Sequence, residues 1–150
     1  MSRSDYVRDN DALAKGRWRA QVRSSIRGKR GQKLLTDLLQ ALDQMPEKKL
    51  IANELETSNG ALCALGVLGK ARGLDMRNVD PEQYEEVASL FGITEQLTRQ
   101  IVFMNDEFYD RDTPGQRYEK MRAWVSRQIL PQSMNENPDR FASRASIRHN

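Results

Sequence analysis

The sequence predicts a mainly α fold: a small helical domain of about five helices, with one short β-hairpin after the second helix and a flexible C-terminal tail. Three observations carry this expectation. Leucines at 34, 35, 38, 39 and 42 recur at helical spacing and make one wide apolar face. Thr94 and Thr113 stand where helix N-caps are wanted, and Thr113-Pro114-Gly115-Gln116 has the form of a capping box. Asn59-Gly60 is a tight-turn dipeptide between two apolar runs, LIANELET and ALCAL.

The elements follow in order. Residues 11–27 read as a helix whose apolar stripe is Trp18, Val22 and Ile26, extended by Ala14. Beside that stripe Lys15, Arg19, Arg23 and Arg27 also recur every four positions, a basic ladder next to the core seam. Gly28 and Gly31 bracket Lys29 and Arg30 in an expected tight turn. The leucine helix then runs from about 32 to 44 and ends before Pro46. Residues 49–65 read as the hairpin, and 67–72 as a helical turn closed by Gly73.

Asp80-Pro81 predicts a helix start, an Asp cap with proline at the first helical position. Val87, Leu90 and Phe91 give that helix its apolar side, and Gly92 stops it. The Thr94-capped helix extends to about Phe103 with Leu97, Ile101 and Val102 inward. The last helix runs from Thr113 to about Leu130 on a core face of Tyr118, Met121, Trp124, Val125 and Ile129. Beyond Pro131 the sequence is polar and aperiodic. The expected organisation is therefore an N-terminal extension (1–10), one globular domain (11–130) and a flexible tail (131–150).

Composition bounds the class. Of 150 residues, 38% are hydrophobic and 30% charged, enough apolar material for one core in a polar chain. No apolar run approaches the roughly 20 residues that span a bilayer, and the N-terminus shows no apolar signal segment. Cys63 is the single cysteine, so no intramolecular disulfide forms. These features lead to the expectation of a cytoplasmic protein with no membrane contact and no cofactor; they leave the oligomeric state open. Net charge is only +3, yet it is segmented. Residues 12–36 hold eight basic residues and no acid, whereas 80–112 hold nine acids against Arg99 and Arg111. Segmentation of this kind bears on partners and association rates rather than on fold.

Catalytic patterns find little support. The one histidine, His149, lies in the expected tail, so neither a serine nor a cysteine nucleophile has a base nearby in sequence. With one Cys and one His there is no zinc set. Cys63 sits in ALCALG and reads as a small packed hydrophobe. GVLGKA has its glycines three apart, at 66 and 69, and no Ser or Thr after Lys70; it fails as a phosphate loop and reads as close packing. Asn105, Asp106, Glu107, Asp110 and Asp112 form an acidic loop between helices, without the calcium-loop pattern. Residues 85–102 have helix-turn-helix spacing. Their reading helix would offer one cation, Arg99, in acidic surroundings that repel phosphate, so a plain helix pair is the better reading.

The basic helix remains. Cations at i, i+4 followed by GKRG track a phosphate backbone without reading sequence. The rival reading is a solvated face, or one neutralised by the protein's own 80–112 acids. Trp18 lies within the apolar stripe, which favours packing over base stacking.

Several stretches together, SIRGKRGQKLL, ALDQMPEKKLIA, NGALCALGVLGKARGLDM, FGI, MND and QRYEKMRAWV, resemble a group of small uncharacterised proteins of tailed bacteriophages and prophages. The similarity covers roughly residues 17–130. CALG, then ND, then a Thr-capped helix is also similar to a broader group of bacterial domains of unknown function. The resemblance implies a setting, a phage accessory product in the bacterial cytoplasm, and carries over no catalytic residue.

The expected function is non-enzymatic: a phage-type accessory protein that binds and modulates a host protein or nucleoprotein complex of defence or gene expression. The contact would be Lys15, Arg19, Arg23, Arg27, Lys29, Arg30 and Lys33, with DNA or RNA as an open alternative for what they touch. Two other readings stand beside it: protein-only binding through the acidic 80–112 segment, and a metal-dependent enzyme built on Glu54, Asn105, Asp106 and neighbouring acids.

Overall fold

The computed structural model describes residues 12–107 and 111–131. These contain six helices: α1 (Ala12–Arg27), α2 (Lys29–Asp43), α3 (Ala64–Ala71), α4 (Tyr84–Phe91), α5 (Glu95–Asp106) and α6 (Pro114–Gln128). The expected N-terminal extension, the tail and His149 lie outside the described residues. Among the described residues no helix is long and apolar enough to cross a membrane.

The core is organised by α2, which packs on α1, α3 and α6. Leu34, Leu35, Leu38 and Leu42 of α2 are fully buried, and Leu39 lies at the core's edge. From the other side α5 contributes Leu97, Ile101 and Val102 and packs on α1, α3, α4 and α6. The expected core face of α6 is buried at Tyr118, Met121, Trp124 and Val125. Tyr118 donates its hydroxyl hydrogen to the Leu42 carbonyl at 2.7 Å, covering one of the carbonyls that the end of α2 leaves open.

The helix signals that depend on neighbouring residues are realised. Thr94 Oγ1 accepts from Leu97 N at 3.1 Å. At α6, Gln116 N donates to Thr113 Oγ1 and Thr113 N to Gln116 Oε1, a complete capping box with Pro114 in the first turn. Gly92 stops α4 with a left-handed φ of 69°.

Four expectations are corrected. First, the β-hairpin over 49–65 is not formed. The turn closes as expected, with Gly60 at φ 88° and its N–H on the Thr57 carbonyl. Only an isolated antiparallel bridge follows, between Glu56 and Leu62. The first arm is kinked at Asn53, which takes φ 76°. The second arm stops because Cys63 caps a helix: its Sγ accepts from Gly66 N at 3.5 Å and the chain is helical from Ala64. Second, Lys29 and Arg30 are not in a turn. Gly28 alone, extended at φ −70° and ψ 165°, breaks the chain, and both cations already belong to α2.

Third, α4 starts at Tyr84 rather than at Pro81. Asp80 spends its carboxylate on Glu82 N at 2.9 Å in a local turn, and Leu90 is left exposed. Fourth, the first two residues of the acidic loop are helix: α5 continues to Asp106, and Asn105 and Asp106 are buried. Glu107 caps that helix, and Asp110 lies outside the described residues.

The two glycines of GVLGKA are packing glycines. A Cβ on Gly66 would stand 1.8 Å from the Leu55 carbonyl oxygen, and one on Gly69 would meet the Met76 side chain at 2.7 Å. Gly16, in the middle of α1, has nothing within 4 Å. The two positions therefore give opposite outcomes in thermal melts followed by circular dichroism. Gly66→Ala lowers stability by about 3 kcal/mol, roughly 8 °C in Tm, because backbone must yield. Gly16→Ala raises stability by about 0.5–1 kcal/mol by removing a flexible residue from an exposed helix interior.

Candidate functional site: an arginine groove along α1

The apolar stripe of α1 turns inward against α5. Val22 is buried, Trp18 and Ile26 are half-buried, and the Thr94 hydroxyl donates to Ser25 Oγ at 2.8 Å across the contact. Arg99 of α5 lies over the Tyr84 ring at 4.4 Å and near the Trp18 ring at 6.0 Å. This is the single cation of the would-be reading helix. Its side chain is only 19% exposed and pairs with Glu95 at 3.4 Å. Because α5 is packed against four other helices, it has no free face to lay in a DNA groove.

With the stripe turned inward, the ladder stands at the surface. Arg19, Arg23 and Arg27 are exposed, and Lys15 is half-buried. At about 1.5 Å per residue the four cations span about 18 Å. Among the described residues, no acid of 80–112 forms an ion pair with them. Glu95 pairs with Arg99, Asp112 with Lys120 at 3.0 Å, and Asp106 accepts from the Asn105 amide at 2.6 Å. Among the described residues none of Lys15, Arg19, Arg23, Arg27, Lys29 and Arg30 forms an ion pair.

Arg19, Arg23 and Arg27 face a groove of about 380 Å³ between α1, α5 and the end of α6. A fourth guanidinium, Arg127, comes from the last turn of α6, and among the described residues no acid lines the groove. Val22, Ile26 and Leu130 supply apolar wall, and Gln100 and Gln128 supply amides. The Gln100 Oε1 is buried without a hydrogen-bond partner.

Gln32 holds this arrangement together. Its Nε2 donates to the Ile26 carbonyl at 2.7 Å and to the Gln128 carbonyl at 3.0 Å, and its Oε1 accepts from Leu130 N at 2.9 Å. One buried side chain thus ties the C-terminal end of α1 to that of α6 and sets Arg127 opposite the ladder. Gly31, beside it, is required as glycine: a Cβ there would lie 1.9 Å from the Ser25 carbonyl oxygen.

Of the seven cations expected at the site, three line this groove. Lys29 and Lys33 border a separate shallow recess of about 260 Å³ on α2, where Lys33 pairs with Asp37 at 3.4 Å. Arg30 is exposed on the same turn. Arg127, Gln100 and Gln32 went unread in the sequence. Arg127 is 100 residues from Arg27, and no local pattern links them.

The residues of the metal-enzyme reading also separate. Glu54, Cys63, Asn105 and Asp106 border a void of only about 10 Å³, at the lower limit for a single water. Asn105 serves structure: its Oδ1 accepts from Ala64 N at 3.1 Å and its Nδ2 donates to the Ile51 carbonyl at 2.9 Å. Among the described residues no three His, Cys, Asp or Glu side chains gather in a metal-holding arrangement. No family model matches this sequence, and no curated protein or solved structure matches it significantly.

Burial pushes the Cys63 thiol up to about 12, from an ordinary value of 9.0, with the nearby Asp106 charge adding to the effect. The native thiol is therefore protonated and covered. A disulfide-exchange reagent should leave Cys63 unmodified in the folded protein and label it fully in denaturant. Between pH 9 and 12 the unfolded chain loses this proton while the folded chain keeps it, so stability falls as pH rises through that window. Cys63→Ala should flatten that part of the slope in denaturant titrations.

Proposed function

We propose that this protein is a non-enzymatic accessory protein of the phage type that docks on host nucleic acid, or on a nucleoprotein complex, through its arginine face. One observation supports this reading above others: Arg19, Arg23, Arg27 and Arg127 face one groove with no carboxylate among the described residues that line it. A face kept only for solubility has no need to converge cations from two helices, because like charges brought together repel.

The chemistry of the cations favours phosphate. Arginine presents a planar fork of donors that matches phosphate oxygens, is weakly hydrated and stays charged at every accessible pH. The acids that pair with Arg99 and Lys120 are engaged within the fold. A host defence or gene-expression complex fits such a protein, since occupying a phosphate-binding surface needs no catalysis, and charge speeds oriented encounter.

Fluorescence anisotropy with labelled DNA and RNA, repeated across salt concentrations, tests the reading. Four phosphate contacts predict a fall of log K against log salt with slope about −3 to −4. Arg19→Glu combined with Arg23→Glu should weaken binding on the order of 100-fold at low salt and reduce the slope by about two. Both side chains are exposed, so Tm should hold. No binding at low salt, or affinity indifferent to salt, contradicts the reading.

A further inference from the structure

We propose that the arginine groove seats one unpaired nucleotide, so that single-stranded rather than closed duplex nucleic acid is the form this face takes; this rests on the nucleic-acid reading above. A surface that only tracks a duplex backbone needs exposed charge and nothing more. This groove has more than charge. It has depth, with a volume of about 380 Å³, within the range of about 300–1,000 Å³ of small-molecule sites. Its wall includes Val22, Ile26 and Leu130, apolar groups with no use for a phosphate. They suit the face of a base, which in a closed duplex is hidden in the stack.

The guanidiniums serve twice. A strand laid along α1 meets Arg19, Arg23 and Arg27 with its phosphates, while a guanidinium plane also stacks on an unstacked base. Gln100 adds a hydrogen-bonding edge. Its Oε1 is buried at the groove wall without a hydrogen-bond partner from the protein, a costly state for an acceptor. A turn about its last torsion aims the amide at a donor on a base edge. The groove is also formed in advance, because Gln32 fixes the end of α6 to the end of α1 through three hydrogen bonds. A ligand entering it orders little further protein.

The test compares a labelled single strand with the same sequence closed as a blunt hairpin duplex, by anisotropy at matched salt. Three proteins are compared: the unmodified chain, Gln128→Trp and Gln100→Leu. Gln128→Trp fills the groove and keeps all four arginines. Gln100→Leu removes the base-edge contact from another helix, so the test does not depend on one variant's folding, which melts verify. The expected result is single-strand binding about tenfold tighter than duplex, the size that one stacked base supplies. Both variants should lose most of that preference while duplex affinity and salt slope stay unchanged.

Equal binding of strand and duplex by the unmodified chain, or a preference that survives Gln128→Trp, overturns the nucleotide site and leaves the basic-face reading standing. Failure to bind either nucleic acid at low salt overturns both. Polyglutamate bound as tightly as the single strand overturns the nucleotide site in favour of an acidic protein partner.

Discussion

The side chain of Asn105 is the interaction on which the arrangement of this chain depends. Buried near the end of α5, it accepts from the first turn of α3 and donates to the segment around Ile51 and to Asp106, while Arg117 of α6 donates to its backbone carbonyl. The segments around Ile51, Ala64 and Arg117 thus meet at one residue of α5. Each buried partner would cost about 1–3 kcal/mol if left unpaired, so the knot admits few alternatives. From it α5 leads back to Gln100 and α6 runs forward, about 15 Å over ten residues, from Arg117 to Arg127. The knot joins the end of α5 to the start of α6, the groove lies against the middle of α5 and the end of α6, and Gln32 closes that end.

This division of labour explains the segmented charge. Of the acids of 80–112, Glu95 is paired by Arg99 on the same helix and Asp112 by Lys120 of α6. The ladder on α1 faces a groove that no acid lines among the described residues. Segregation along the sequence thus persists in space instead of cancelling. A field of one sign over about 18 Å of helix is the form that attracts an extended polyanion.

What was legible in the sequence was local. The leucine face of α2, the Thr94 and Thr113 caps, the Gly92 stop and the two stripes of α1 each depend on residues within a turn or two. The misread parts depend on distant ones. Cys63-Ala64 looked like a strand because apolar runs do not distinguish strand from helix; the decision was made by a thiol cap and by the close approach of Gly66 to Leu55. Asp80 has the composition of a cap, yet its carboxylate closes a turn on Glu82. Asn105 and Asp106 looked like a solvated loop, and only their partners across the fold show them as core. The site was half legible: the ladder is a helical repeat, whereas Arg127, Gln100 and Gln32 join it through tertiary contacts that no spacing announces. The CALG and ND stretches meet in the fold, where the Asn105 amide oxygen accepts from Ala64 N.

On the proposed function, the arginines of α1 and α6 are open in the free protein and are the groups that a nucleic acid covers. Arginine-selective modification with phenylglyoxal, read residue by residue by peptide mass spectrometry with and without a single-stranded oligonucleotide, measures this directly. Arg19, Arg23, Arg27 and Arg127 should react readily in the free protein and be protected together by the strand, while the exposed but distant Arg77 keeps its rate. Slow reaction of the four in the free protein, or equal rates with and without the strand, would contradict the account.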